Sequence, residues 1–109
     1  MLFGAYIIFW SPLPFVYSWW NAENYNWNDS KHKRSRIADG LILTKKLYKL
    51  PRTEVESLLG RAHETTYFNE WDMVYQLGSE RGFFTIDSEW LVINLDDAGR
   101  VKDYRIVRD

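Results

Sequence analysis

The sequence predicts an α+β domain: two amino-terminal helices packed on an antiparallel meander of three or four strands, preceded by an apolar membrane segment. Three observations lead to this class. Apolar residues recur at helical spacing in the first half of the chain, and from His63 onward they alternate with polar residues at a period of two. Residues 1–22 contain no charged side chain.

The uncharged leading segment is long enough to cross a bilayer, since about 20 helical residues at roughly 1.5 Å each span a hydrocarbon core of about 30 Å. Pro12 and Pro14 oppose an uninterrupted helix, although neighbouring groups can satisfy the freed carbonyls. No basic residue precedes the segment and no small-residue cleavage site follows it, so a signal peptide is disfavoured. We expect an uncleaved anchor; a processed leader and a segment buried against a partner are the alternatives. The expected anchor side chains are Phe3, Ile7, Ile8, Phe9, Trp10, Phe15, Trp19 and Trp20.

Residues 23–29 are rich in asparagine and are predicted to link the anchor to a domain over residues 30–109. The domain begins with a basic cluster, Lys31, Lys33, Arg34 and Arg36. This cluster is either the solvated first turn of a helix or a contact for anionic lipid headgroups. Nucleic-acid binding is opposed by the net charge of −1. Basic residues this close to an apolar segment favour the cytoplasmic side.

The first helix is predicted from an N-cap near residue 30 to about Tyr48. Ile37, Leu41 and Thr44 recur in it at helical spacing. Gly40 weakens this helix by roughly 1 kcal/mol relative to alanine.

The second helix is predicted over residues 52–59. Pro51 suits its start, Glu54 suits the positive end of the helix dipole, and Gly60 suits the position just after its end.

The remaining elements are strands. Residues 65–68 are a weak candidate, and residues 71–77, 89–95 and 101–107 are stronger because apolar side chains alternate in them. The last two are joined by a hairpin loop from Asp96 to Gly99, in which Gly99 is expected at positive φ.

The chemistry-bearing residues favour structural roles. The absence of cysteine excludes disulfides and thiolate metal sites. His63, Asp87, Ser88 and Glu89 are residue types of a hydrolase, but Ser88 lacks the G-x-S-x-G elbow and is typical of a turn that begins a strand. Two isolated histidines do not make a metal site, and the loop at Asp96 lacks a full calcium-binding pattern. We expect no catalytic activity, no cofactor, no metal and no small-molecule substrate.

Consecutive aromatic residues indicate a binding surface. Phe83 and Phe84 would point to opposite faces of an extended chain, so they serve either the core or a partner. Aromatic residues in the predicted strands could likewise belong either to the core or to a partner surface, since aromatic side chains anchor interfaces as well as cores. The predicted partner surface is Phe83, Phe84, Trp71, Tyr75 and Trp90.

Several motifs resemble one bacterial family. Residues 50–60 (LPRTEVESLLG) resemble the S/T-x-x-E-V-x-x-L-L-G helix of the SmpA/OmlA (BamE-like) family. Residues 75–78 (YQLG), 82–93 (GFFTIDSEWLVI) and 97–101 (DAGRV) resemble its Y-x-L-G … I-D-S-E-x-L-x-I-x-F-D-x-x-G-x-V run, most closely in uncharacterised bacterial members. The match covers about residues 30–107. Pro51 replaces the usual Ser or Thr, and the lipoprotein cysteine is missing.

The resemblance implies a fold like that of the β-lactamase inhibitor protein and a non-catalytic adaptor role. The resemblance also implies that the domain lies on the side of the membrane opposite to the cytoplasm, whereas the basic cluster favours the cytoplasmic side. We therefore expect a membrane-attached accessory or scaffold subunit of a bacterial envelope complex at the inner membrane, with its side left open. Its partners would be protein and membrane lipid. The alternative is a secreted or soluble inhibitor-like or ligand-binding module, processed near Ala22.

Overall fold

Two helices precede three strands in the part of the chain that the structure, a computed structural model, describes: residues 12–13, 15, 20, 33–62, 65, 67–79, 81 and 87–109. The predicted α+β class and the order of its elements are confirmed. The helices are α1 (Lys33–Leu43) and α2 (Arg52–Leu59), and the strands are β1 (Met73–Ser79), β2 (Ser88–Leu95) and β3 (Val101–Arg108).

Helix α1 ends at Leu43, earlier than predicted, in a Schellman-type turn. The Lys45 amide donates to the Ile42 carbonyl at 3.1 Å, and the Lys46 amide donates to the Leu41 carbonyl at 3.1 Å. Lys45 has a φ of 55°, the left-handed conformation that this turn requires. Glycine usually occupies that position, so a lysine there hides the end of the helix from sequence analysis.

Helix α2 has the predicted bounds, and side chains from elsewhere satisfy the carbonyls at its end. Gly60 follows it with a φ of 84°. The Trp20 indole N–H donates to the Leu59 carbonyl at 2.8 Å, and the Tyr75 hydroxyl donates to the Gly60 carbonyl at 2.7 Å. The final carbonyls of a helix lack partners within it, so these two donors stabilise the helix end.

The sheet is an antiparallel meander in the order β1-β2-β3. The predicted hairpin at Asp96 is confirmed: its carboxylate accepts from the Ala98 and Arg100 amides at 2.9 and 3.0 Å, and Gly99 has a φ of 78°. Tyr67 and Phe68 lie in a turn rather than in the weak strand predicted over residues 65–68, and residue 66 of that candidate lies outside the described residues.

The main core lies on the inner face of the sheet, beneath the helices. Its buried members come from α1, α2, the strands and the leading segment: Trp20, Ile37, Ala38, Leu41, Leu47, Val55, Leu59, Met73, Tyr75, Leu77, Leu91, Ile93 and Val101. The inward direction predicted for alternate apolar residues of β1 and β2 is confirmed, but Val74, Trp90 and Val92 on the other face are buried as well.

The leading segment contributes to this core, which differs from the predicted domain boundary at residue 30. Leu13 and Phe15 pack against it. The Leu13 amide donates to the Arg36 carbonyl at 3.0 Å. A side chain at Gly40 would clash with the Leu13 backbone carbonyl, so glycine is required in α1 by this close approach. Apolar residues suit a core and a membrane equally, which is why composition alone placed them in lipid.

Candidate functional site

The outer face of the sheet carries a patch of aromatic side chains. The turn before β1 folds back over this face, so that the Tyr67 and Phe68 rings lie 5.7 and 5.9 Å from the Trp90 ring, between centroids. Trp71 follows in the same turn, and the Arg105 guanidinium of β3 lies 5.2 Å from its ring centroid. We call Tyr67, Phe68, Trp71 and Arg105 the outer-face aromatic patch.

The patch combines a buried floor with an accessible rim. Trp90 is 5% exposed and packs with Val74 and Val92, which are also buried. Above this floor, Tyr67 is 55% exposed, while Phe68 and Trp71 are half-buried. Aromatic residues and arginine around an apolar centre are typical of the strongest contributors to protein–protein binding.

The backbone holds this arrangement at some conformational cost. Phe68 has a φ of 55°, which is uncommon for a bulky residue. The Trp71 amide donates to the Phe68 carbonyl at 2.9 Å and closes the turn. Strained residues persist where the surroundings hold them in place, and they cluster at functional sites.

A polar groove lies beside the patch, between α2 and the same turn. Its volume is about 680 Å³, and Tyr67 and Trp71 line it together with Arg52, Glu56 and Arg61. The Arg52 Nε–H donates to the Glu56 carboxylate at 3.0 Å on the exposed surface. The groove therefore adds charged and hydrogen-bonding groups to one border of the patch.

The predicted partner residues are only partly brought together. Trp71 lies in the patch and Trp90 forms its floor. Tyr75 lies on the opposite face, 1% exposed in the main core rather than on the surface that the sequence predicted. Burial there raises the pKa of the Tyr75 hydroxyl, with a smaller contribution from Glu56. Phe83 and Phe84 lie outside the described residues.

Two of the predicted anchor residues can be located, and both pack against the domain. Trp20 is fully buried, in contact with Phe15 at 6.3 Å and Tyr75 at 6.1 Å between ring centroids. Its position differs from the membrane interface predicted for it, because its indole N–H and ring both find partners in the core. Phe3, Ile7, Ile8, Phe9, Trp10 and Trp19 lie outside the described residues. Among the residues that are described, no helix has the length and apolarity needed to span a bilayer.

The predicted headgroup-binding cluster does not form one exposed face. Arg34 is 5% exposed, and its guanidinium lies 4.5 Å from the centroid of the Trp20 ring. This stacking favours burial of Arg34, because an aromatic face attracts a guanidinium. Lys33 and Arg36 are half-buried, and Lys31 lies outside the described residues.

A cluster of ion pairs closes one end of the inner face. The Arg81 guanidinium bonds to Asp39 of α1 and donates to Glu89 of β2 at 2.8 Å. Arg108 of β3 donates to the same Glu89 carboxylate at 3.3 Å. Burial lowers the pKa of Arg81, but the bonds to Asp39 and Glu89 outweigh it, so the pKa is raised. Glu89 is 1% exposed and its oxygens accept from these two arginines, which indicates a structural role.

Ser88, another of the predicted chemical candidates, is held by hydrogen bonds to both its amide and its hydroxyl. The Ser88 amide donates to the Asp109 carboxylate at 2.8 Å, and its hydroxyl accepts from Gln76 at 3.4 Å. Asp87 is half-buried just before β2, and His63 lies outside the described residues. Among the described residues, no three potential metal ligands from His, Asp and Glu come together.

Sequence reasoning missed most of the patch. Tyr67 and Phe68 were assigned to a weak strand, and Arg105 was not singled out. Arg105 lies opposite Val92, two residues from Trp90, so a period of two on β2 and β3 would have placed it on the outer face.

Comparisons with protein-family models, curated proteins and solved structures give no match. The resemblance to the SmpA/OmlA family therefore stays a prediction, and function is inferred from the surfaces described above.

Proposed function

We propose that this chain is a non-catalytic, membrane-attached accessory or scaffold subunit of a bacterial envelope complex. The outer-face aromatic patch binds its protein partner. The observation that carries this proposal is the patch itself, in which Tyr67 is 55% exposed on a buried tryptophan floor.

The patch is suited to tight binding because it is ordered before a partner arrives. Tyr67 and Phe68 rest on Trp90, so binding immobilises few side chains, each of which would otherwise cost about 0.5–1.5 kcal/mol. The Arg105 guanidinium on Trp71 adds a polar group that can bond to a partner carbonyl or carboxylate.

Membrane attachment is supported by the uncharged leading segment and by the family resemblance. Because Leu13, Phe15 and Trp20 pack on the domain, the proposal assigns lipid contact to the apolar residues before Pro12. Processing near Ala22 would remove Trp20 from the core and leave the Leu59 carbonyl without its indole donor. This cost favours the retained segment over the processed-leader alternative.

Co-purification from gently solubilised membranes tests the protein contact. The full chain would be compared with Tyr67→Ser and with Tyr48→Ser, a matched control because Tyr48 is 50% exposed and lies on a different surface. We expect Tyr67→Ser to reduce the recovered partner about tenfold, equivalent to about 1.4 kcal/mol, the loss expected of an aromatic hot spot. Tyr48→Ser should leave recovery unchanged.

Recovery of the wild-type chain only as a monomer would contradict the proposal. An equal loss with both tyrosine variants would also contradict it, because the contact would then not depend on the patch. Circular dichroism of each variant checks that the fold is intact.

A further inference from the structure

The end of α1 and the connection that follows it expose two large hydrophobic side chains. Leu43 is 72% exposed and Tyr48 is 50% exposed. Among the described residues, only Tyr67 of the aromatic patch joins them in this group. Contiguous exposed apolar patches that are rimmed by polar residues mark contacts with proteins or membranes.

Lysines surround these two side chains. Lys45, Lys46 and Lys49 are exposed in the same connection, and Lys102 is exposed on the neighbouring strand β3. Lys45, Tyr48 and Lys102 line one groove of about 470 Å³, and the Lys49 ammonium lies 5.4 Å from the centroid of the Tyr48 ring. The backbone joins these parts, since the Lys49 amide donates to the Val101 carbonyl at 2.9 Å.

Little negative charge offsets these lysines. The sequence contains no acidic residue between Asp39 and Glu54. Asp103 lines the groove, but its carboxylate pairs with Arg105 at 3.3 Å. The surface therefore presents a local positive potential on a chain whose net charge is −1.

The uncharged leading segment reaches this same surface. Pro12 and Leu13 line an apolar groove of about 460 Å³ together with Leu43 and Lys46. The eleven residues before Pro12 carry no charged side chain. Pro12 and Leu13 therefore lie beside Lys46 at the end of α1.

We propose that Leu43, Lys45, Lys46, Tyr48, Lys49 and Lys102 form a lipid surface that binds anionic phospholipid headgroups. Leu43 and Tyr48 enter the interfacial layer, where an apolar body and a phenolic hydroxyl are both accommodated. The aliphatic parts of the lysine side chains lie beside Leu43 and Tyr48, while the ammonium groups remain at the level of the lipid phosphates. This inference rests on the membrane attachment proposed above, and it replaces the headgroup cluster predicted at residues 31–36.

Lipid fits this surface better than nucleic acid does. An exposed leucine gains nothing from a phosphate backbone, whereas it gains free energy on entering an interfacial layer. The overall charge also opposes general attraction to nucleic acid.

Vesicle flotation of the full chain tests the lipid surface. Phosphatidylcholine vesicles would be compared with vesicles that also contain phosphatidylglycerol. The variant Lys45→Gln/Lys102→Gln would be compared with Lys33→Gln/Arg36→Gln, which removes the same charge from the first turn of α1, at the opposite end of that helix. We expect preference for the anionic vesicles and about a 30-fold weaker affinity for the Lys45→Gln/Lys102→Gln variant, since each lysine near an anionic surface contributes about 1 kcal/mol. The Lys33→Gln/Arg36→Gln variant should bind like the wild type.

Equal binding of the two variants to anionic vesicles would overturn the lipid surface while leaving membrane attachment in place. Equal binding of the wild type to both vesicle types would overturn it in the same way. Failure to float with either vesicle would overturn the attachment as well. A Leu43→Ser variant separates the apolar contribution, and we expect it to weaken binding to anionic vesicles without changing the salt dependence.

Discussion

The two faces of the sheet carry the same kinds of side chain and use them differently. On the inner face, Trp20 and Tyr75 are buried, and their polar atoms donate to the carbonyls at the end of α2. On the outer face, Trp90 is buried but Tyr67 above it is more than half exposed. The aromatic residues here therefore divide into a buried set on the inner face and a set with an exposed member on the outer face.

The two sets differ because different structural elements cover the two faces of the sheet. Both helices and parts of the leading segment lie over the inner face. Among the described residues, the turn that includes Phe68 and Trp71 lies over the outer face. An inner aromatic residue should therefore matter for stability, and an outer one for binding.

The largest expected effect is on the inner face. Trp20→Ala should lower the free energy of unfolding by about 3–5 kcal/mol, because it leaves a cavity and removes the donor to the Leu59 carbonyl. Urea unfolding of the full chain measures this loss. Trp71→Ala is the matched outer-face control, with an expected loss of about 1 kcal/mol. Similar losses in the two variants would remove the distinction between the faces.

The ion cluster should give the next largest effect. Arg81→Met leaves buried Glu89 with Arg108 as its remaining ion-pair partner among the described residues, and we expect a loss of about 3 kcal/mol of stability. Arg105→Met breaks an exposed pair with Asp103 and should cost at most about 1 kcal/mol. Chemical denaturation at neutral pH compares them. If Arg81→Met is as stable as Arg105→Met, the cluster does not close the inner face.

The smallest of these effects depends on pH. Burial raises the pKa of Tyr75 in the folded chain, so the folded state holds this proton at a pH where the unfolded state releases it. Its contribution is full below about pH 10 and falls above it, by up to about 1.4 kcal/mol per pH unit. Tyr75→Phe should reduce this slope to the part that comes from Tyr104, whose pKa burial also raises. It should also cost about 1 kcal/mol at neutral pH through the lost bond to Gly60.

Unfolding curves in urea from neutral to alkaline pH would measure both the slope of stability with pH and the loss of stability at neutral pH. Tyr67→Phe is the control, since it removes the same hydroxyl from an exposed position. A slope as steep in Tyr75→Phe as in the wild type would show that other groups cause it.

Local signals were sufficient to predict much of the fold. The α2 bounds follow from Pro51 and Gly60, and β2 and β3 follow from alternation around the hairpin at Gly99. The end of α1 was misplaced because Lys45 occupies a position where glycine is the usual signal.

The candidate surfaces were harder to predict because they depend on contacts between distant parts of the chain. Trp20 faces the core because it bonds to the end of α2, and Arg34 is buried because it stacks on Trp20. Neither contact can be recognised from the local sequence. The residues predicted to bind headgroups were those at 31–36 and not Lys45, Lys46 and Lys49, and the fold brings Lys102 beside Lys45.

Photo-crosslinking in intact membranes tests most directly whether protein and lipid contact separate surfaces. A photoreactive p-benzoylphenylalanine would replace Tyr67 in one chain and Tyr48 in another. We expect position 67 to yield an adduct with a partner protein and position 48 to yield lipid adducts without that protein. The same protein adduct from both positions, or none from position 67, would contradict the division.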